Sequence, residues 1–156
     1  CGIGTNNLEI ESNMSCTGVP GASLRVWKDY FCNAQIFGSD IDKNILFEED
    51  RIKTFYVNQL DKNSIRNMWF KINCSNFDLI IDDGLHTVEA SMSLFLNSFH
   101  KLRRDGIYII EDVNFENLHE LKTKLVKYNP EVVILKNEYY DANPNNNNNL
   151  IIIRKV

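Results

Sequence analysis

Short apolar runs alternate with longer amphipathic stretches along this chain. Ile36-Phe37-Gly38-Ser39-Asp40, Ile52 to Val57 and Phe77-Asp78-Leu79-Ile80-Ile81 read as strands, as does the apolar run Ile107-Tyr108-Ile109-Ile110. Leu24, Trp27 and Phe31 mark one face of a helix that Ser23 caps and that runs to about Cys32. Lys62 to Lys71 reads as a polar helix. In a further helix from Val88 to Leu102, Met92, Phe95, Leu96 and Phe99 recur at i, i+3, i+4 and i+7. Asp105-Gly106 ends that helix with a left-handed C-cap, and Arg103 and Arg104 complement its dipole. Leu118, Leu121 and Leu125 mark a last helix face. Glu131 to Leu135 and Leu150 to Arg154 then form an antiparallel pair around the Asn-rich loop 143–149.

Strands alternating with helices predict one α/β domain over 1–156, built on a doubly wound parallel sheet with a C-terminal antiparallel strand pair. The near-continuous apolar strands agree, because both faces of such a sheet are covered. The chain opens on Cys1-Gly2-Ile3-Gly4-Thr5-Asn6-Asn7, a glycine-rich turn of the kind that follows a strand. A first strand is therefore expected upstream, the chain being a fragment that starts at that strand's end. Residues 5–22 are expected to form a long, turn-rich loop of the functional or disordered kind.

Composition narrows the function. The 156 residues carry a net charge of −4, with 44% hydrophobic and 24% charged residues, which excludes wholesale disorder. The acidic balance argues against a nucleic-acid binder with a basic face. No apolar run approaches the ~18 residues of a membrane span, and neither a membrane span nor a signal peptide is expected. The four cysteines form no C-x-x-C pair, so reduced thiols in the cytoplasm are expected rather than zinc or disulfides.

In open α/β sheets ligands bind beyond the carboxyl ends of the strands, and four groups fall there. Gly2 and Gly4 let the backbone pass close to a ligand, and Asp40 can accept hydrogen bonds from both hydroxyls of a ribose. Asp40 follows the glycines at well beyond the ~20 residues of a dinucleotide site, which argues against NAD. Asp82, Asp83, Glu111 and Asp112 would repel one another unless protonated, separated or bridged by a cation. Oxygen ligands suit Mg²⁺ or a similar ion, and such an ion lowers the pKa of a substrate hydroxyl. His86, three residues past Asp83, is placed to take that proton. His100 and His119 read as surface or satisfied residues, and Trp27 and Trp69 as helix packing, with a pocket-lining place near the sheet edge left open for Trp69.

The order Gly2-Ile3-Gly4-Thr5, Pro20-Gly21-Ala22-Ser23-Leu24-Arg25 and Gly38-Ser39-Asp40-Ile41-Asp42 resembles class I S-adenosylmethionine-dependent methyltransferases. Phe77-Asp78-Leu79-Ile80-Ile81-Asp82-Asp83-Gly84-Leu85-His86 with Gly106-Ile107-Tyr108-Ile109-Ile110-Glu111-Asp112 is similar, more narrowly, to the metal-dependent sugar O-methyltransferases of macrolide tailoring. The resemblance implies a Rossmann-like fold and methyl transfer to a hydroxyl of a sugar or small polyol. It implies S-adenosylmethionine as cofactor, with Gly2, Gly4, Thr5, Asp40, Asp61 and Asp82 on the cofactor's side. Asp83, Glu111 and Asp112 would bind Mg²⁺, and His86 would be the general base. Asn58 or Gln59 stands where many methyltransferases place an adenine-binding acid, which leaves Asp61 for that task. The expected partner is a small glycosylated acceptor, not nucleic acid or membrane, with homo-oligomer formation left open. A hydroxylase-related enzyme of the same fold and an inactive binding module are the competing expectations.

Overall fold

The computed structural model describes residues 1–10, 14, 17–134 and 148–156. Helix α1 (Ala22–Tyr30) precedes strand β1 (Ile36–Asp40), the two-residue β2 (Glu48–Glu49) and β3 (Ile52–Tyr56). Then come α2 (Lys62–Ile72), β4 (Phe77–Asp82), α3 (Val88–Ser98), β5 (Leu102–Val113), α4 (Phe115–Lys124), β6 (Glu131–Val133) and β7 (Asn149–Arg154).

The strands form two sheets where the alternation alone predicts one. In the first, β1 lies parallel to β3, and β2 adds an antiparallel strand on β3's other edge. In the second, β4 is parallel to β5, and β5, β7 and β6 continue antiparallel. The closing antiparallel pair is therefore present, with Glu131 opposite Ile152 and Val133 opposite Leu150. Leu135 and the loop residues 143–147 lie outside the described residues.

Apolar burial holds the second sheet. Phe95, Tyr108, Ile110, Leu121, Leu125 and Ile151 form one fully or almost fully buried cluster between it and helices α3 and α4. The Phe95 ring stands edge-on to Tyr108 at 5.0 Å and to Tyr128 at 4.8 Å, an arrangement the ring quadrupoles favour. Side-chain caps set three helix starts: Asp61, Thr87 and Asn114 accept backbone N–H groups at the openings of α2, α3 and α4.

Several local expectations give way to tertiary pairing. Asp105-Gly106 lies inside β5 and ends no helix; α3 stops at Ser98 and passes through a 3₁₀ turn, Phe99–Lys101. The strand wins because Leu102 already pairs with Phe77, while Gly106 and Asp105 exchange backbone hydrogen bonds with Lys155. Arg103 consequently serves no helix dipole and bonds Asp78 at 2.6 Å. On α3, Leu94 takes the buried place predicted for Leu96, which is 57% exposed. Ser23 does not cap α1, which starts at Ala22 behind a left-handed Gly21.

A backbone rung joins the two sheets, and the Phe37 ring of β1 stands edge-on to Phe77 of β4 at 5.6 Å. Cys1 N donates to Ile81 O at 2.7 Å, and Asp83 N donates to Cys1 O at 3.0 Å, the bonding pattern of a parallel partner opposite Asp82. Gly2 N donates to Ser39 O at 2.9 Å on the β1 side. Behind this rung, β1 and β4 line a cleft of about 670 Å³ whose walls include Leu24, Trp27, Phe37, Trp69, Phe77 and Leu94. No helix among the described residues is long and apolar enough to cross a membrane.

Candidate active site

Three strand ends carry the acids. At the end of β1, Asp40 is buried and both carboxylate oxygens are engaged: Oδ2 accepts Ile3 N–H at 2.8 Å and Oδ1 accepts Asp42 N–H at 2.9 Å. Asp42 in turn accepts the Thr5 hydroxyl at 2.6 Å and Asn44 N–H at 2.9 Å. The Thr5 hydroxyl, followed by the Asn44 backbone N–H, holds the Asp42 carboxyl below its ordinary range. These bonds tie the glycine turn to the strand. Gly2 adopts φ +91, and a Cβ there would overlap the carbonyl oxygen of Asp83, so the turn also packs against the end of β4.

The ends of β4 and β5 are built differently. Asp83 and His86 sit on the loop between β4 and α3, with Asp83 Oδ1 3.8 Å from His86 Nε2. Asp112 comes from the end of β5, where the pairing with β7 shifts register between Ile110 and Val113. Such a bulge re-aims side chains at a sheet edge. Both His86 (φ 55) and Asp112 (φ 49) adopt left-handed backbone conformations, which cost free energy in a non-glycine residue and persist where the surroundings over-determine them. One ligand-capable atom each from Asp83, His86 and Asp112 lies within 4.8 Å of the others.

Glu111 belongs to the same electrostatic group without joining that cluster of atoms. Burial pushes its carboxyl above the ordinary range, and the negative charges of Asp83 and Asp112 add to the effect. Asp112 is raised likewise, first by burial and then by Asp83. The chemistry of this donor set, two close carboxylates and an imidazole with a third acid beside them, fits a small divalent cation, whose charge would relieve that repulsion.

The remaining expected site residues are placed as follows. Asp82 is 2% exposed, its carboxylate turned to Gln59 and raised by burial. Asp61 is exposed and caps α2 by accepting Asn63 N–H at 2.9 Å. Thr5 spends its hydroxyl on Asp42, and Gly4 lies against Met14. The sequence marked Gln59 only as standing where an adenine-binding acid is usual, not as a partner of Asp82, to whose Oδ1 its Nε2 donates at 2.6 Å; Asn117, whose Nδ2 donates to His86 O at 3.1 Å, it did not single out. His100 and His119 are exposed and away from the cluster, as expected.

The architecture is the Rossmann-like fold of class I methyltransferases. The MycE methyltransferase of the mycinamycin biosynthetic pathway, solved with Mg, SAH and mycinamycin VI, superposes with a TM-score of 0.65 at 23% identity, covering 92% of this chain and 42% of that one. A Plasmodium falciparum protein described as a ribosomal RNA methyltransferase shares the fold at TM-score 0.65 and 16% identity, over 87% of this chain and 81% of that one. Among curated proteins, this chain is 37% identical to demethylmacrocin O-methyltransferase of Streptomyces fradiae over 93 residues, 60% of its own length and 23% of the relative's. It is 36% identical to mycinamicin VI 2''-O-methyltransferase of Micromonospora griseorubida, again over 60% of this chain and 23% of the relative. A Streptomyces olivaceus rhamnosyl tetracenomycin-C 2'-O-methyltransferase matches at 34% identity over 60% of this chain and 24% of the relative. The resemblance to sugar O-methyltransferases is thus borne out, and the chain spans about a quarter of the length of these relatives. No family model matches the chain.

Proposed function

We propose that this chain carries the cofactor and cation site of an S-adenosylmethionine-dependent O-methyltransferase acting on a sugar-type hydroxyl of a small glycosylated acceptor. The convergence of Asp83, His86 and Asp112 at the carboxyl ends of adjacent parallel strands carries this reading. Asp83, Glu111 and Asp112 are the residues to hold Mg²⁺ or a similar ion, and His86 is the base. When bound, the cation supplies charge that favours loss of a hydroxyl proton, and S-adenosylmethionine supplies the methyl group. His86, whose Nε2 lies 3.8 Å from Asp83 Oδ1, takes the proton at that nitrogen. Gly2, Gly4 and Asp40 offer the cofactor its backbone passage and an acid, while Thr5, Asp61 and Asp82 support the elements around it. A cytoplasmic reaction accords with free Cys1, Cys32 and Cys74.

The same reading covers the cleft between β1 and β4. The parallel bonding of Cys1 to β4, with Gly2 bonded to β1, supports one further strand running through the cleft and joining the two sheets.

The test is incubation of the full chain with S-adenosylmethionine, Mg²⁺ and a panel of glycosylated acceptors, read by mass for one added methylene. The reading expects product and S-adenosylhomocysteine release that chelator abolishes. A folded protein that binds no S-adenosylhomocysteine in calorimetry overturns the cofactor assignment.

A further inference from the structure

Gln59 lies on the connection from β3 to α2, 23 residues before Asp82 in sequence, and its side chain is almost wholly buried. Its amide is used at both ends. Nε2 donates to Asp82 Oδ1 at 2.6 Å, and Oε1 accepts Leu85 N–H at 3.0 Å. Between those two partners, a Cβ on Gly84 would overlap the amide itself, so Gly84 is the residue that lets Gln59 lie flat against the loop. The amide therefore grips Asp82, Gly84 and Leu85 together. Asp83 is enclosed within that grip, and His86 follows it directly.

We propose that Gln59 is the positioning residue of the cation site, fixing the Asp82–Leu85 segment and through it the Asp83 carboxylate and the His86 ring. The proposal rests on the reading above, in which Asp83 holds a cation and His86 is the base. The side-chain type is dictated by the task. Glutamate would keep an acceptor for Leu85 N–H but present no donor to Asp82; leucine would offer neither; asparagine would fall one methylene short. The loop needs such a clamp because His86 sits at φ 55, a conformation its neighbours must enforce. Asn117 bonds the His86 carbonyl at 3.1 Å and Thr87 caps α3, so the segment is pinned on its far side as well. Gln59 supplies the buried anchor on the near side.

The experiment compares the full chain with Gln59→Leu, Gln59→Glu and, as a control, Trp69→Phe, which loses the Trp69 Nε1 to Ser98 bond at 2.9 Å in the core. Mn²⁺ affinity is read by electron paramagnetic resonance, Leu85 amide exchange by NMR, and stability by thermal melting. Gln59→Leu is expected to weaken Mn²⁺ binding by about 10–100-fold, the range for residues that orient metal ligands. It should also speed Leu85 exchange at least about tenfold, as expected when a buried amide loses its acceptor to local opening. Gln59→Glu should fall between, and Trp69→Phe should lower the melting temperature while leaving Mn²⁺ affinity unchanged. Should Gln59→Leu fail to fold, Gln59→Asn carries the same comparison. Mn²⁺ affinity in Gln59→Leu that drops no further than in the Trp69→Phe control overturns the proposal. A wild-type protein that binds no Mn²⁺ overturns the cation reading instead, and unchanged Leu85 exchange in Gln59→Leu then overturns the clamp by itself.

Discussion

The end of β1 and the ends of β4 and β5 each gather acids at the same edge of the fold, yet the protein treats them in opposite ways. At β1, Asp40 and Asp42 accept four hydrogen bonds from Ile3, Asp42, Thr5 and Asn44, and the Asp42 carboxyl is held low. At β4 and β5, Glu111 and Asp112 are pushed up by burial and by the charge of Asp83. Acids whose neighbours are N–H and O–H donors are held in their charged form by the protein itself. Acids whose neighbours are other acids are held in a state that a cation would stabilise. The first end fixes the glycine turn that the proposed cofactor passes; the second is the end at which the proposed cation would act.

The largest expected effect separates the base from the ligands. His86→Ala should lower turnover by about 10²–10⁴-fold, the usual worth of general base catalysis, while Mn²⁺ and S-adenosylhomocysteine still bind in calorimetry. Loss of Mn²⁺ binding in that variant would make His86 a ligand. Next in size is the acid at the end of β1: Asp40→Ala should cost about 1.5–3 kcal/mol for each hydrogen bond lost, measured by urea denaturation. Asp112→Asn should instead leave the cation-free protein as stable as before or more so, because it removes repulsion. If both variants destabilise alike, the contrast between the two ends is false.

The pH dependence sharpens the same contrast. Glu111 and Asp112 bind protons more tightly folded than unfolded, so stability they contribute at low pH is lost as pH rises from the ordinary carboxylate range through their raised values. Asp42 acts with the opposite sign: its contribution is present above its unfolded pKa and disappears as pH falls through its lowered folded value. In chelator, Asp112→Asn should flatten the decline on the high-pH side, and Mg²⁺ should raise the melting temperature more at pH 8 than at pH 5. The smallest effect is expected far from both ends. Lys124→Ala breaks an exposed pair with Glu120 at 3.4 Å and should change stability by only about 0.3–0.5 kcal/mol.

Much of this was legible in the sequence because it is written locally. The apolar strands, their order with the helices and the acids that close β1, β4 and β5 all follow from short-range pattern. What was not legible depends on partners distant in the chain. Asp105-Gly106 reads locally as a helix stop, but pairing of β5 with β4 and β7 draws it into a strand. The tiny β2 exists because Glu48 and Glu49 meet Lys53 and Ile52 across a turn, with no apolar alternation to announce it. Gln59 carries no periodicity, and its partners stand 23 and 26 residues away. Asp82 and Asp83 look equivalent as neighbours in sequence. Strand alternation sends one to the buried side and leaves the other 44% exposed at its side chain.

The claim that the β4 and β5 ends form a cation site is tested most directly by calorimetric titration of the full chain with Mg²⁺, beside Asp112→Asn. The account predicts a single binding event in the wild type, weakened at least about tenfold when one ligand loses its charge. Equal affinity in the two proteins, or no binding in a folded wild type, would contradict it.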